Sequence, residues 1–241
     1  MKKLASILLA LCMMLAVSVG TMSFATSPKN ADGKYKVEVI DNNTRYPTDV
    51  IIYKPVGVTP KVGVLFYAGQ PVDYRDYGTL CKRIASAGYL VISPEFPLDT
   101  AILNWAAGEE YMKHFPQIKE WFFMGHSHGG GTAVWEATLK PELFQGLILI
   151  SAVAFPCHLP DGYPVLSIHA TEDRAVPRYQ FEMLNLALSN CDLTQVIIQG
   201  GNHAQVGDYG IQANDGKAKI SKKKQMNITV KHILKFIQKY Q

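Results

Sequence analysis

The stretch 121–131, Trp-Phe-Phe-Met-Gly-His-Ser-His-Gly-Gly-Gly, constrains the fold more than any other part of the chain. It begins with Trp121, Phe122, Phe123 and Met124, bulky apolar residues in the pattern of a short strand buried on both faces. Gly125-His126-Ser127-His128-Gly129 follows and fits G-x-S-x-G. Gly130 through Ala137 then supply small residues suited to a helix packed closely on a sheet. Strand, sharp turn and helix are the context that pattern needs. The glycines have a steric reason: a side chain at 125 or 129 would collide with the neighbouring strand or helix. A serine on so tight a turn sits in strained backbone geometry, with its hydroxyl pushed out of the sheet edge. The His128 N–H and the helix N-terminus then face the place where an oxyanion would form. An ordinary strand-to-helix turn with an exposed serine would read the same way. What separates the two is whether an acid and a histidine follow in order.

The chain has 241 residues, 48% hydrophobic and 18% charged, enough for one sizeable core and short for two. Met1-Lys2-Lys3, an apolar run over 4–19 and small residues at Ser23 and Ala25 read as a secretory signal peptide cleaved after Ala25. On that reading 26–241 is a single domain, secreted or extracytoplasmic. A retained anchor is disfavoured because the run is short for a membrane span. A lipoprotein is disfavoured because Leu11, before Cys12, stands where a small residue is wanted. No later stretch is apolar enough for stable membrane insertion. Loss of Lys2 and Lys3 takes the formal charge from +4 to +2, a balance that argues against a nucleic-acid partner. Lys217, Lys219, Lys222, Lys223 and Lys224 read as a solvated face. After the leader, Cys81, Cys157 and Cys191 remain, with no C-x-x-C, so no zinc or thioredoxin-like reading is supported. A Cys157–Cys191 bridge stays open in an exported chain.

Apolar patterning and turn residues predict strands over 34–39, 49–53, 61–67, 89–93, 120–124, 144–151, 165–170 and 195–199. Helices are expected over 74–87, with Gly88 as the C-cap, and over 101–114, capped by Thr100. Three more are expected over 128–139, 178–188 and 227–240. The alternation demands an α/β fold: a mostly parallel central sheet with helices on both faces. The link from Ser151 to Pro164 is too short for a separate lid domain, so a rather open site is expected.

Two further strand ends complete the pattern. One runs from Ser167 into Thr171-Glu172-Asp173-Arg174, the other from Ile197 into Gly200-Gly201-Asn202-His203. The order is Ser127, Asp173, His203, each just past the C-terminal end of a strand. In a parallel sheet those ends share one edge, so the three can meet. A serine hydroxyl is a weak nucleophile; a histidine takes its proton, and a carboxylate on the other ring nitrogen fixes the tautomer.

With these residues the chain resembles the α/β-hydrolases, close to the small lidless bacterial esterases of dienelactone-hydrolase type. The resemblance covers the chain from about Val39 onward. It rests on 125–129, the loop from His169 through Asp173 to Pro177, and the loop from Gly201 through His203 to Gly210. The strand end and loop from Phe66 to Asp73, and Pro94 to Leu98, are also similar. It implies nucleophile Ser127, acid Asp173 and base His203. It further implies an oxyanion hole from the His128 N–H and one more in the loop after Tyr67, Gly69 or Gln70. The implied activity is a serine carboxylesterase for small or exposed esters, with no cofactor and no metal. One departure is that Ala68-Gly69-Gln70 replaces the lipase-type His-Gly-Gly loop. Another is that Glu172 adjoins Asp173; Asp173 is preferred because it precedes a residue pair and then Val176, as the family's acid does. A binding protein on a hydrolase scaffold and an acyltransferase are the rival functions.

The other histidines have plainer readings. His126 and His128 lie on opposite sides of a tight turn and diverge, so they pack or line a pocket rather than hold a metal. His169 reads as a hydrogen-bonded core histidine. Trp105, Phe96 and Tyr209 are candidates to line a pocket, with core packing the equal alternative. Asp208 reads as a residue that shapes the histidine loop.

Overall fold

The computed structural model describes residues 34–42 and 49–241, and the leader expected over 1–25 lies outside them. Eight strands form one sheet: β1 (Val37–Asn42), β2 (Val50–Pro55), β3 (Val62–Tyr67), β4 (Leu90–Pro94), β5 (Glu120–His126), β6 (Gly146–Ile150), β7 (Pro164–Ala170) and β8 (Asp192–Ile198). Their spatial order is β1-β2-β4-β3-β5-β6-β7-β8. β2 pairs antiparallel with β1 and with β4; every other pairing is parallel. The expected α/β architecture is what the chain adopts.

Each central strand is apolar at consecutive positions because both faces are covered. From β3, Val62, Val64 and Phe66 enter one core, and Leu65 and Tyr67 the other. Along β5, Phe122 and Met124 take the first side, and Trp121 and Phe123 the second. The first core is closed by α1 (Gly78–Ala85) and α5 (Lys222–Tyr240), through Leu80, Ile84, Val230 and Ile233. The second is closed by α2 (Ala107–Met112), α3 (Ser127–Leu139) and α4 (Arg178–Ala187), through Tyr111, Ala133, Val134 and Leu184.

Three helix boundaries differ from the sequence pattern. The helix expected from Tyr74 starts as a 3-10 turn, Tyr74–Tyr77, because the Asp73 carboxylate accepts the Arg75 N–H at 2.8 Å. The helix expected from Ala101 also starts as a 3-10 turn, Ala101–Asn104, and becomes α-helical only at Ala107. There Thr100 does not cap: its hydroxyl turns back to the Leu98 carbonyl at 2.8 Å, over left-handed backbone at Leu98 and Asp99 (φ 54° and 49°). The last helix begins at Lys222 rather than 227, because the Ser221 hydroxyl accepts the Lys224 N–H at 3.2 Å. Three lysines in its first turn mask that start from an apolar-period reading. Cys157 and Cys191 are both free, so the bridge left open above is not formed.

Candidate active site

β5 delivers the turn. Ser127 sits at φ 54°, a left-handed conformation that costs a non-glycine residue on the order of 1 kcal/mol or more. The flanking glycines make room for it. A Cβ on Gly129 would lie 2.2 Å from the Ala68 carbonyl oxygen, and one on Gly125 would lie 2.5 Å from that of Gly129. Gly129→Ala should therefore lower stability by about 3 kcal/mol or more, read as the shift in a denaturant midpoint, because backbone rather than a movable side chain blocks the methyl.

β7 and β8 deliver the candidate acid, Asp173, and the candidate base, His203. His203 Nδ1 lies 2.9 Å from Asp173 Oδ2, and both side chains are buried. The other carboxylate oxygen accepts the Val176 N–H at 2.9 Å. Burial pushes the Asp173 carboxyl up, but bonds from His203, Val176 and Ser151 outweigh it and hold the group below the ordinary value. Glu172, its sequence neighbour, turns away and pairs with Lys219 Nζ at 2.8 Å. His203 is joined to the serine turn through its ring, which packs on the His126 ring with centroids 4.3 Å apart. His128, on the other side of Ser127, is exposed.

The base loop is held from several directions. Gln225 of α5 clamps the residue before His203: its Oε1 accepts the Asn202 N–H at 2.9 Å, and its Nε2 donates to the Asn202 carbonyl at 2.6 Å. Asp215 accepts the Ala204 N–H at 2.9 Å and the Arg174 N–H at 3.3 Å, tying the base loop to the acid loop. Asp208 does shape this loop, accepting the Thr79 N–H at 3.0 Å and pairing with Lys222 at 2.6 Å. Gln225, Asp215 and Ser151 carry no motif signal; each acts through tertiary contacts that sequence spacing does not reveal.

The oxyanion loop differs from expectation at one residue. The Gly69 N–H donates to Tyr77 Oη at 3.1 Å, so it is not free to receive an oxyanion. Gly69 still matters sterically, since a Cβ there would come within 3.2 Å of the Ser127 Cβ.

Other residues fall where their chemistry permits. His169 is buried, but its Nδ1 has no hydrogen bond and stands 3.9 Å from Asp173 Oδ2, unlike the bonded core histidine expected. Phe96 packs on Tyr67 as core, with ring centroids 4.6 Å apart. The Trp105 carbonyl accepts the Tyr67 hydroxyl at 2.5 Å. Tyr209 lines a cleft of 460 Å³ between the oxyanion and base loops, with Pro71, Val72, Asp76 and Ile211. Ser127 is 6% exposed. The 151–164 link lies directly on the turn: the Val153 N–H donates to the Ser127 carbonyl at 3.2 Å, and Phe155 packs against Gly131. Among the described residues no group of three His, Cys, Asp or Glu side chains is placed to hold a metal ion, and no helix is long and apolar enough to cross a membrane.

Residues 63–227 match the model of the alpha/beta hydrolase family. The chain belongs to that family. The chain is 31% identical to Chlorophyllase-1 of Arabidopsis thaliana over 147 residues, 49% of its own length and 44% of that protein's. The alignment thus spans less than half of that relative. Among solved structures, TT1662 from Thermus thermophilus superposes with a TM-score of 0.63 at 16% identity, covering 85% of this chain and 98% of that one. A structure from work on LipS and LipT, two metagenome-derived lipolytic enzymes, gives a TM-score of 0.56 at 20% identity, covering 76% and 95%. At such identities the structural likeness is one of fold.

Proposed function

We propose that the chain is a secreted serine hydrolase that cleaves small or exposed carboxylic esters through an acyl-enzyme on Ser127. The observation that carries this reading is the buried Asp173–His203 pair, packed through His126 against the turn that holds Ser127 at φ 54°. Asp173 binds Nδ1 of the base, which keeps the other ring nitrogen, Nε2, unprotonated and able to take the serine proton. Ser127 Oγ then attacks the ester carbonyl. The developing oxyanion is met by the N–H of His128 and of Gln70. His203 returns the proton to the departing alkoxide, leaving an acyl-enzyme, and activates the water that releases the acid. Secretion rests on the leader read over 1–25.

A fluorophosphonate probe tests this reading. It should label the mature protein covalently, and Ser127→Ala should abolish the label. Folded wild-type protein that takes up no probe would point instead to a binding protein on a hydrolase scaffold.

A further inference from the structure

His126 stands among three parts of the site at once. It is wholly buried, and its ring packs on that of His203 with centroids 4.3 Å apart and planes at 41°. Its Nδ1 is 2.9 Å from Tyr77 Oη, and Tyr77 in turn is wholly buried. The same phenolic oxygen accepts the Gly69 N–H at 3.1 Å, at the root of the oxyanion loop. Through the peptide chain His126 also carries Ser127. A Cβ on Gly69 would fall 2.9 Å from His126 Nδ1, 3.0 Å from Tyr77 Oη and 3.2 Å from the Ser127 Cβ, so all three groups crowd around Gly69.

One arrangement of protons pairs all of these groups. Tyr77 has one hydroxyl proton, and its oxygen is already an acceptor for Gly69. Giving that proton to His126 Nδ1 makes the nitrogen an acceptor and pairs the Gly69 N–H, the phenol and the imidazole in one chain. His126 then carries its own proton on Nε2, which is buried on the side of the His203 backbone. Burial, and then the neighbouring His203, hold this imidazole well below its ordinary pKa. The ring facing the base is thus neutral, and it places no positive charge against an imidazolium forming at His203.

We infer that His126 and Tyr77 are a single positioning unit, a neutral Nε2-protonated imidazole locked by a phenol, which holds the oxyanion loop and the base in register around Ser127. Neither residue touches the reacting atoms. Their effect passes through Gly69 to the Gln70 N–H on one side and through ring packing to His203 on the other. The inference rests on the serine-hydrolase reading for its kinetic consequence, but not for its protonation state.

The protonation state is read by nitrogen NMR of the full mature chain with labelled histidine, the His126 signal being identified by its loss in His126→Phe. The expected result is a neutral ring protonated at Nε2 that does not titrate between about pH 5 and 8. An imidazolium, or a proton on Nδ1, overturns the inference. The kinetic arm uses Tyr77→Phe, which deletes one oxygen and keeps the ring. Tyr77→Phe should lower kcat about 10- to 100-fold with KM within about twofold, because what is lost is alignment in the transition state. His126→Phe should cost a similar factor, and the double variant no more than the worse single one. Losses that multiply in the double variant, or that fall on KM alone, overturn the unit. If Tyr77→Phe or the double variant does not fold, the wild-type NMR signal decides; if His126→Phe does not fold, that signal is assigned instead by through-bond connection to the labelled backbone. Wild-type protein that takes no fluorophosphonate defeats the proposed function while leaving the tautomer to be read. Labelled wild-type protein with a titrating His126 defeats only the unit.

Discussion

His203→Ala should lower kcat for a simple ester by roughly 10⁴- to 10⁶-fold while the fold survives. The size follows from the role. Without the imidazole, the Ser127 hydroxyl keeps its proton at neutral pH and the leaving alkoxide has no proton donor. What remains is binding and the oxyanion donors. Far-ultraviolet circular dichroism should be unchanged, because the base loop is held by Gln225 and Asp215 rather than by the histidine itself. Asp173→Asn gives a companion result, a loss of roughly 10⁴-fold, because an amide can present its N–H to the ring and favour the wrong tautomer. Glu172→Gln should stay within about twofold of wild type, since its carboxylate pairs with Lys219 and accepts the Thr171 hydroxyl, away from His203. A dead Glu172→Gln protein beside an active Asp173→Asn protein would reverse the assignment of the acid.

Glu136→Gln should stabilise the protein on the alkaline side of neutrality. Glu136 is fully buried on α3, with Oε2 3.0 Å from Tyr67 Oη and Oε1 without a partner. Tyr67 has one proton, and the Trp105 carbonyl takes it at 2.5 Å. The bond to Glu136 therefore needs a proton on the carboxyl. Burial above all pushes this group up from 4.5 to about 8. The folded-state value is thus raised above the unfolded one. Its stabilising contribution is complete below about pH 4.5, falls as pH rises, and is gone above about pH 8. The total at stake is roughly 3 to 5 kcal/mol. Glutamine keeps a donor for Tyr67 and does not ionise. Urea midpoints measured at pH values either side of that window should converge at the acid end. At the alkaline end the variant should be the more stable. Parallel curves for the two proteins would show that Glu136 does not titrate there.

The strands and most of the helices were legible because their signals are local. Consecutive apolar residues in β3, β5 and β6 report burial on two faces, and turn residues mark where each strand stops. The placement of Ser127, Asp173 and His203 was legible for a related reason: each lies just past a strand, and parallel strands bring such ends to one edge. Helix starts were less legible at Ala101 and Lys222. There the deciding interactions are a back-turned Thr100 hydroxyl and a Ser221 cap hidden by lysines, which apolar periodicity does not register.

The order of Ser127, Asp173 and His203, and the glycines that admit Ser127 to its turn, are properties of the chain as written. A nucleophile's turn is a local object, governed by the contacts of a few adjacent residues. Tertiary structure alone decided the rest: that Asp173 rather than Glu172 meets the base, that Gly69 gives its N–H to Tyr77, and that Glu136 is sealed against Tyr67. Each of these depends on which distant atom occupies the one remaining hydrogen-bonding position, and spacing along a chain does not encode that.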